Sequence, residues 1–225
     1  QNALESSARG FEVWRKTPPS ERAAIMRRAA VLVRQRARDI APIFTMELGK
    51  TINESLAEIE RSATFLDWDS EEIRRLYGRI VPTDPPIQQF VVREPIGPVA
   101  AFTPWNVPMS APSRKISASL AAGCSIILKP ASETPATACL FAQCFMDAGL
   151  PKGVLNVVFG DSDEVSRTLI LSPITRMVSL TGSVNVGRRL MLLAAEAMKP
   201  TLMELGGHAP VLIDENVNHD EIAQL

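Results

Sequence analysis

The sequence has few cysteines, few aromatic side chains, no long apolar run and almost no net charge. Lys and Arg total 24 against 25 Asp and Glu, so no excess charge favours nucleic acid or an anionic membrane as a partner. No apolar run approaches the ~20 residues that a membrane-spanning helix needs. With 46% hydrophobic residues the chain can bury a sizeable core, and we expect a globular protein without nucleic-acid or membrane partners.

Cysteine is represented by Cys124, Cys139 and Cys144. Their odd number and their spacing match neither a disulfide framework nor a metal site, so we predict no metal centre. All three lie in apolar segments, where we expect them to be buried. Free thiols favour a reducing compartment, most simply the cytoplasm. The chain does not begin with Met and lacks a signal segment, and we expect it to start inside a longer reading frame.

The chain divides into three stretches of different hydrophobic rhythm. Residues 1–77 have the periodicity of amphipathic helices, with Ser20 as an expected N-cap and Thr51 with Glu54 as a capping box. Residues 78–95 contain prolines and an extended run at 87–93. That run predicts an edge strand or an arm, which would suit pairing with another subunit.

Residues 96–225 alternate between short apolar strands and helices. This alternation is typical of βαβ units and predicts an α/β fold with a doubly wound parallel sheet. The N-terminal helical segment and the extended strand arm precede it. The predicted strands are 99–102, 125–128, 154–159, 177–180, 201–205 and 211–213. The predicted helices are 110–122, 134–149 with Thr134 as N-cap, 161–171 and 183–198.

Ligands of doubly wound sheets bind at the carboxyl ends of the strands. At one such end, Thr181-Gly182-Ser183 closes a strand and opens a helix, with Gly187 one turn further. Backbone N–H groups and the helix dipole at such a position favour a phosphate. The alternative is a plain Ser N-cap with glycines for packing. The GxGxxG fingerprint is absent, so a dinucleotide site here would be a variant of the Rossmann type.

Three further residues at strand ends could carry chemistry, and each has a simpler alternative. Lys129 could reach a ribose or a phosphate, or it could be a strand-end lysine whose ammonium extends to water. Asn106 could stabilise negative charge on oxygen, or it could be a turn residue. Glu204 lies in an apolar stretch ahead of two glycines. A buried carboxylate there would have a raised pKa and suit a general base, whereas a bend would leave it solvated.

Four motifs bring these residues together in one order: FTPWNVP at 102–108, LKPASETP at 128–135, LTGSVNVG at 180–187 and MELGG at 203–207. They resemble the aldehyde dehydrogenase family over essentially the whole chain. The resemblance implies a variant Rossmann-like NAD(P)-binding domain at 96–225, truncated before the catalytic domain. It also implies oxidation of a small aldehyde to the acid through a Cys thioester.

The resemblance assigns a role to each matching residue. Asn106 would donate to the oxyanion of a thiohemiacetal, and Glu204 would activate the water that releases the acid. Lys129 would hold the adenosine ribose, and Ser183 with its helix the pyrophosphate. The other implied cofactor contacts are Thr103, Pro104, Trp105, Ser132, Gly160, Thr181, Gly182, Val186, Leu205 and Gly206.

Two positions bear on specificity. Many NAD-preferring relatives carry Glu where this chain has Ser132, and a small hydroxyl beside Lys129 leaves room for the 2′-phosphate of NADP. The adjacent Glu133 keeps NAD open as the alternative. Arg114, eight residues after Asn106, resembles the arginine with which succinate-semialdehyde dehydrogenases clamp the substrate carboxylate. The alternative is a helix-surface arginine.

One departure from the family is large. The nucleophilic Cys of the family follows the Glu by a few tens of residues, and none of the three cysteines here lies in that segment. We therefore expect the parent protein to be the enzyme, as a homodimer or homotetramer. The chain alone would be an inactive dinucleotide-binding fragment. A CoA-acylating enzyme is a further alternative, against which Glu204 argues.

Overall fold

The structure is a computed structural model that describes residues 1–222, so the end of the predicted domain 96–225 lies outside the described residues. Four helices open the chain: α1 Asn2–Trp14, α2 Pro19–Gln35, α3 Ala37–Leu48 and α4 Ile52–Glu72, with a 3-10 turn at Ile73–Arg75. The Thr51 capping box is confirmed, because its side chain and that of Glu54 each bond to the other's backbone N–H. The expected cap at Ser20 is wrong. Helix α2 already begins at Pro19, which tolerates the first helical position because it has no N–H to satisfy.

The arm is a two-stranded antiparallel ribbon. Strands β1 Arg79–Val81 and β2 Gln89–Val91 pair with each other and belong to a sheet of their own. The predicted run 87–93 therefore holds a strand, though a shorter one. Ile80 and Phe90 are 75% and 60% exposed. The ribbon thus presents apolar side chains to solvent, which leaves the prediction of subunit pairing open.

The remaining strands form one parallel sheet of five in the order β5-β4-β3-β6-β7. Each strand is followed by a helix up to α8, as the alternating pattern predicted. The elements are β3 Val99–Phe102, α5 Ser110–Ala121, β4 Ile126–Lys129, α6 Pro135–Asp147, β5 Leu155–Val157, α7 Ser162–Leu171, β6 Met177–Thr181, α8 Val184–Glu196, β7 Thr201–Glu204 and the single turn α9 His219–Ile222.

Both faces of the sheet are covered. Val99 and Ala101 of β3 belong to a core cluster that contains Trp14 and Phe44 of the N-terminal helices. Their neighbours Ala100 and Phe102 belong to a second cluster, with side chains of α7 and α8. Successive strand residues point to opposite faces, so four consecutive apolar residues in β3 require two cores. The doubly wound α/β fold is confirmed. Among residues 1–222, no helix has the length and apolar character to cross a membrane.

One local prediction in this half is wrong, and a second holds only for the position of the residue. Residues 211–213 form no strand, and Val211 and Leu212 are 81% and 94% exposed. Within residues 1–222 no strand lies beyond β7 to pair with this segment, and an apolar run needs a partner to become a strand. Thr134 occupies the N-cap position of α6 as predicted, but its side chain makes no capping hydrogen bond. The carboxylate of Glu47, on α3, bonds to the first amides of α6 instead.

Candidate active site and cofactor site

Glu204 ends β7, and its side chain meets the neighbouring strand. The register of β6 and β7 places Thr181 opposite Glu204, and Thr181 Oγ1 donates a hydrogen bond to Glu204 Oε2 at 2.9 Å. The backbone N–H of Gly182 donates to the Glu204 carbonyl at 3.0 Å. Of the two alternatives for Glu204, the structure supports the solvated carboxylate, since 55% of this side chain is exposed. Glu204 is the last residue of an edge strand, where water reaches it.

Lys115 is the residue of this cluster that the sequence reasoning missed. It lies on α5, its side chain is 7% exposed, and its ammonium lies 4.0 Å from Glu204 Oε2. Burial lowers the pKa of Lys115, nearby Arg114 lowers it further, and Glu204 acts in the opposite direction. The sequence feature that could have pointed to Lys115 is a lysine within a helix that consists mostly of small and apolar residues. At this edge a buried cation therefore faces a half-exposed carboxylate.

Asn106 lies in the loop 103–109 between β3 and α5. Thr103, Pro104 and Trp105 precede it, and both Trp105 and Asn106 are exposed. Thr103 is buried, and its backbone N–H donates to the Lys129 carbonyl at 3.3 Å. The loop thus leaves the sheet beside the end of β4, with the Asn106 amide in solvent.

The turn before α8 carries the predicted phosphate-binding residues. Ser183 is the N-cap of α8, and its Oγ accepts a hydrogen bond from the Val186 backbone N–H at 3.3 Å. Ser183 thus caps the helix as the simpler alternative expected, and the additional phosphate role stays a prediction. Gly187 is buried. A Cβ at this position would lie only 2.6 Å from Leu205 Cδ2, so the packing leaves no room for a side chain. That close packing sets α8 directly against the residue that follows Glu204.

A cavity of about 410 Å³ lies between α7 and α8. Its lining combines apolar side chains with charged ones, among them Val186, Leu192 and Arg167. Arg189 of α8 forms an ion pair with Asp163 of α7. Gly160, just ahead of α7, has φ +143°, a conformation that L side chains rarely adopt. Such a mixed cavity beside a helix N-terminus suits a nucleotide with its apolar base and charged phosphates.

Lys129 and Ser132 lie at the end of β4 with different exposure. Lys129 is 7% exposed, and its ammonium donates to the Pro130 carbonyl at 3.4 Å. The alternative of a lysine whose ammonium extends to water is therefore wrong. Ser132 and Glu133 are both exposed. A buried cation with one long hydrogen bond has donor capacity left for a ligand oxygen.

The residues at this edge fit NAD(P). The Thr103 hydroxyl is buried without a hydrogen-bond partner among residues 1–222, and a ribose or phosphate oxygen would satisfy it. The other available groups are hydroxyl, ammonium and helix-terminal N–H donors, which suit the ribose and phosphate oxygens of a dinucleotide. Gly206 is exposed beside half-buried Leu205, and a Cβ there would meet no atom closer than 4.0 Å.

Arg114 lies on the exposed side of α5. Its guanidinium stacks 4.5 Å from the centre of the Phe65 ring on α4. This contact orients the guanidinium without engaging its N–H donors, which stay available to an anion. The helix-surface alternative and the carboxylate clamp are both compatible with this position.

The three thiols are poorly suited to nucleophilic catalysis. Cys124 and Cys144 are buried as expected, whereas Cys139 is exposed, so its predicted burial is wrong. Cys139 lies on a face of α6 that the core does not cover. Burial raises the pKa of all three thiols, and Glu47 raises that of Cys139 further. A nucleophilic cysteine needs the opposite shift.

Comparison with known proteins identifies the family. The sequence pattern described as "Aldehyde dehydrogenase family" matches residues 1–225. A 4-(hydroxymethyl)benzenesulfonate dehydrogenase of Comamonas testosteroni is 44% identical over 95% of this chain and 45% of its own length. The Escherichia coli succinate-semialdehyde dehydrogenase [NADP(+)] GabD is 38% identical over 99% of this chain and 46% of its own length.

Solved structures agree with the sequence comparison. The crystal structure of succinate-semialdehyde dehydrogenase from Burkholderia pseudomallei superposes with a TM-score of 0.93 at 41% identity. The match covers 99% of this chain and 46% of that one. The chain belongs to the aldehyde dehydrogenase family, a family of oxidoreductases. It spans about half the length of the curated relatives it matches.

Proposed function

We propose that the whole protein oxidises a small aldehyde to the corresponding acid with NAD(P). The observation that carries this proposal is the cluster at the carboxyl edge of the sheet, where Thr181 holds Glu204 and Lys115 lies 4.0 Å away. The same edge receives the loop that carries Asn106. A carboxylate and a neutral amide donor at one sheet edge supply a base and an oxyanion donor.

The residues of this chain divide the work as follows. Asn106 donates a hydrogen bond to the oxygen that becomes negative when a thiolate attacks the aldehyde. Glu204 accepts a proton from the water that hydrolyses the resulting thioester. Thr181 orients the Glu204 carboxylate, and Lys115 offsets its charge. NAD(P), when bound, accepts the hydride of the aldehyde.

The cofactor is placed by the remaining groups of the carboxyl edge. Ser183 and the N-terminus of α8 hold the pyrophosphate, and Lys129 binds the adenosine ribose. The cavity between α7 and α8 receives the adenine ring. Thr103 contributes its unsatisfied hydroxyl. We assign NADP as the preferred form because Ser132 is small and lies three residues after the buried Lys129. The GabD enzyme of Escherichia coli, whose name specifies NADP, supports this choice.

The substrate class is a semialdehyde that carries a carboxylate. Arg114 supports this class because its guanidinium is exposed and held by Phe65 with its donors free for an anion. Succinate-semialdehyde dehydrogenases among the relatives agree with it. The Comamonas testosteroni relative is named for 4-(hydroxymethyl)benzenesulfonate, which carries a sulfonate and is therefore also an anion.

An aldehyde panel on the full-length protein tests the proposal. We expect succinate semialdehyde to produce NADPH absorbance and free acid. Replacement Glu204→Gln should leave one burst of NADPH per site and lower the steady rate by about a hundredfold, since hydrolysis of the thioester loses its base. Absence of aldehyde-dependent NAD(P)H across the panel would refute the proposal.

Two alternatives predict different results in the same assay. If the chain functions as a dinucleotide-binding fragment, the 225-residue polypeptide binds NADP and shows no turnover with any aldehyde. If the protein acylates CoA, product appears as acyl-CoA and depends on added CoA.

We further propose a homodimer or homotetramer, supported by the exposed apolar ribbon β1–β2. The free thiols support a reducing compartment such as the cytoplasm.

A further inference from the structure

The N-terminus of α5 is capped by a residue of another helix. Met109 occupies the N-cap position and supplies no side-chain hydrogen bond. Glu58 of α4 supplies it: its Oε1 accepts the backbone N–H of Met109 at 3.2 Å and that of Ser110 at 3.1 Å. A helix N-terminus leaves amides unsatisfied and favours a negative charge. Glu58 therefore fixes the end of the loop 103–109 to α4.

The Glu58 carboxylate is itself held from the other side. Its side chain is 4% exposed, and Lys50 Nζ lies 2.5 Å from Oε2. Lys50 directly precedes Thr51, whose capping box fixes the first turn of α4. One carboxylate oxygen thus faces a cation and the other faces two amides. A buried charge with this set of partners is anchored in one orientation.

We propose that Glu58, held by Lys50, is a positioning residue for Asn106. Asn106 is exposed and lies three residues before buried Met109, and the two Glu58 hydrogen bonds tie the α5 end of the loop to α4. The proposal rests on the proposed function, in which Asn106 donates to the developing oxyanion. Glu58 touches neither aldehyde nor cofactor and acts through the loop. Displacement of an oxyanion donor by about 1 Å is enough to slow catalysis by about a hundredfold.

The experiment compares three variants of the full-length protein. Glu58→Ala removes both acceptors, whereas Glu58→Gln keeps one carbonyl oxygen and loses the charge. Asp69→Asn is the matched control, because Asp69 is another α4 carboxylate that bonds to α5, at Ser117. Ser117 lies seven residues beyond Ser110, about 10 Å further along the helix. Each variant is assayed for kcat, KM, the Kd of NADP and amide hydrogen exchange of the loop peptide.

We expect Glu58→Ala to lower kcat between tenfold and a hundredfold, as for a misplaced oxyanion donor. The Kd of NADP should change much less than kcat, because Lys129 and Ser183 lie outside the loop and Thr103, at its other end, is held by its own hydrogen bond to the Lys129 carbonyl. The amides of Met109 and Ser110 should exchange faster. Glu58→Gln should recover part of kcat and of the protection, and Asp69→Asn should match the wild type.

A different pattern would overturn the inference. Wild-type kcat in Glu58→Ala, or an equal loss in Asp69→Asn, would show that the Glu58 contact does not position Asn106. If Glu58→Ala does not fold, the isosteric Glu58→Gln decides by the same criteria. A wild-type protein that oxidises no aldehyde would refute the proposed function instead. Loop exchange would then still test the anchor, and unchanged exchange in both Glu58 variants would refute it.

Discussion

Glu47 and Thr137 lie 90 residues apart, yet Glu47 Oε2 accepts hydrogen bonds from both the backbone N–H and the hydroxyl of Thr137, at 2.9 and 2.6 Å. Glu47 Oε1 accepts the backbone N–H of Ala136 at 2.7 Å. The carboxylate at the end of α3 therefore performs the capping role for α6 that its own N-cap Thr134 leaves open. This contact ties the N-terminal helices to the segment that follows Lys129 and Ser132.

Replacement Glu47→Ala should lower the free energy of unfolding by ~1 kcal/mol, the usual value of an N-cap. The reason is that the first amides of α6 lose their acceptor. Urea denaturation followed by circular dichroism measures the change. Met46→Ala is the control, because Met46 is the preceding residue of α3 and is 78% exposed. Equal midpoints for both variants would contradict the capping role.

The raised pKa of Asp69 predicts that the free energy of unfolding depends on pH. Burial raises the pKa of Asp69 above its ordinary 3.8, the hydrogen bond from Ser117 opposes this, and Glu72 raises it further. The folded state thus binds a proton more tightly than the unfolded state. The stability from this group is full below pH 3.8 and is lost as the pH rises through the folded-state pKa.

The measurement is urea denaturation of the wild type and Asp69→Asn between about pH 3.5 and 7. Asn cannot titrate, so the variant should gain stability relative to the wild type as the pH rises through this window. A difference between the two proteins that does not change with pH would show that Asp69 titrates alike in both states.

Ser132 should set the choice between NADP and NAD. Ser132→Glu places a carboxylate where the 2′-phosphate is expected, so we predict at least a tenfold rise in the Kd of NADP and a smaller change for NAD. Quenching of tryptophan fluorescence reports both constants. Glu133→Gln is the control, since it changes the charge at the neighbouring exposed position by one unit. A larger effect of Glu133→Gln than of Ser132→Glu would move the specificity determinant by one residue.

Arg114 should discriminate charged from uncharged aldehydes. Arg114→Gln removes the guanidinium that we expect to bind the substrate carboxylate, so kcat/KM for succinate semialdehyde should fall between tenfold and a hundredfold. Butanal has the same chain length and no carboxylate, and its kcat/KM should change less than threefold. Parallel losses for both aldehydes would assign Arg114 to packing against Phe65 instead.

The sequence by itself determined the elements whose causes are local. Val99–Phe102 is a continuous apolar run, and the structure has a strand at those four residues. Thr51 with Glu54 and Ser183 begin helices through bonds that span three residues. The alternation of strands and helices specified the parallel sheet because parallel strands require crossover connections. The strand-end motifs in turn placed Asn106, Lys129 and Glu204 after their strands.

Tertiary structure decided what depends on distant partners. Glu204 is half exposed because β7 lies at the edge of the described sheet, and periodicity cannot tell an edge strand from a central one. Residues 211–213 are apolar enough for a strand but have no neighbour to pair with in the part of the chain that the structure describes. Glu58 reaches α5 from 51 residues away, and Lys115 meets Glu204 across the sheet edge. Packing creates these contacts, and no local pattern records them.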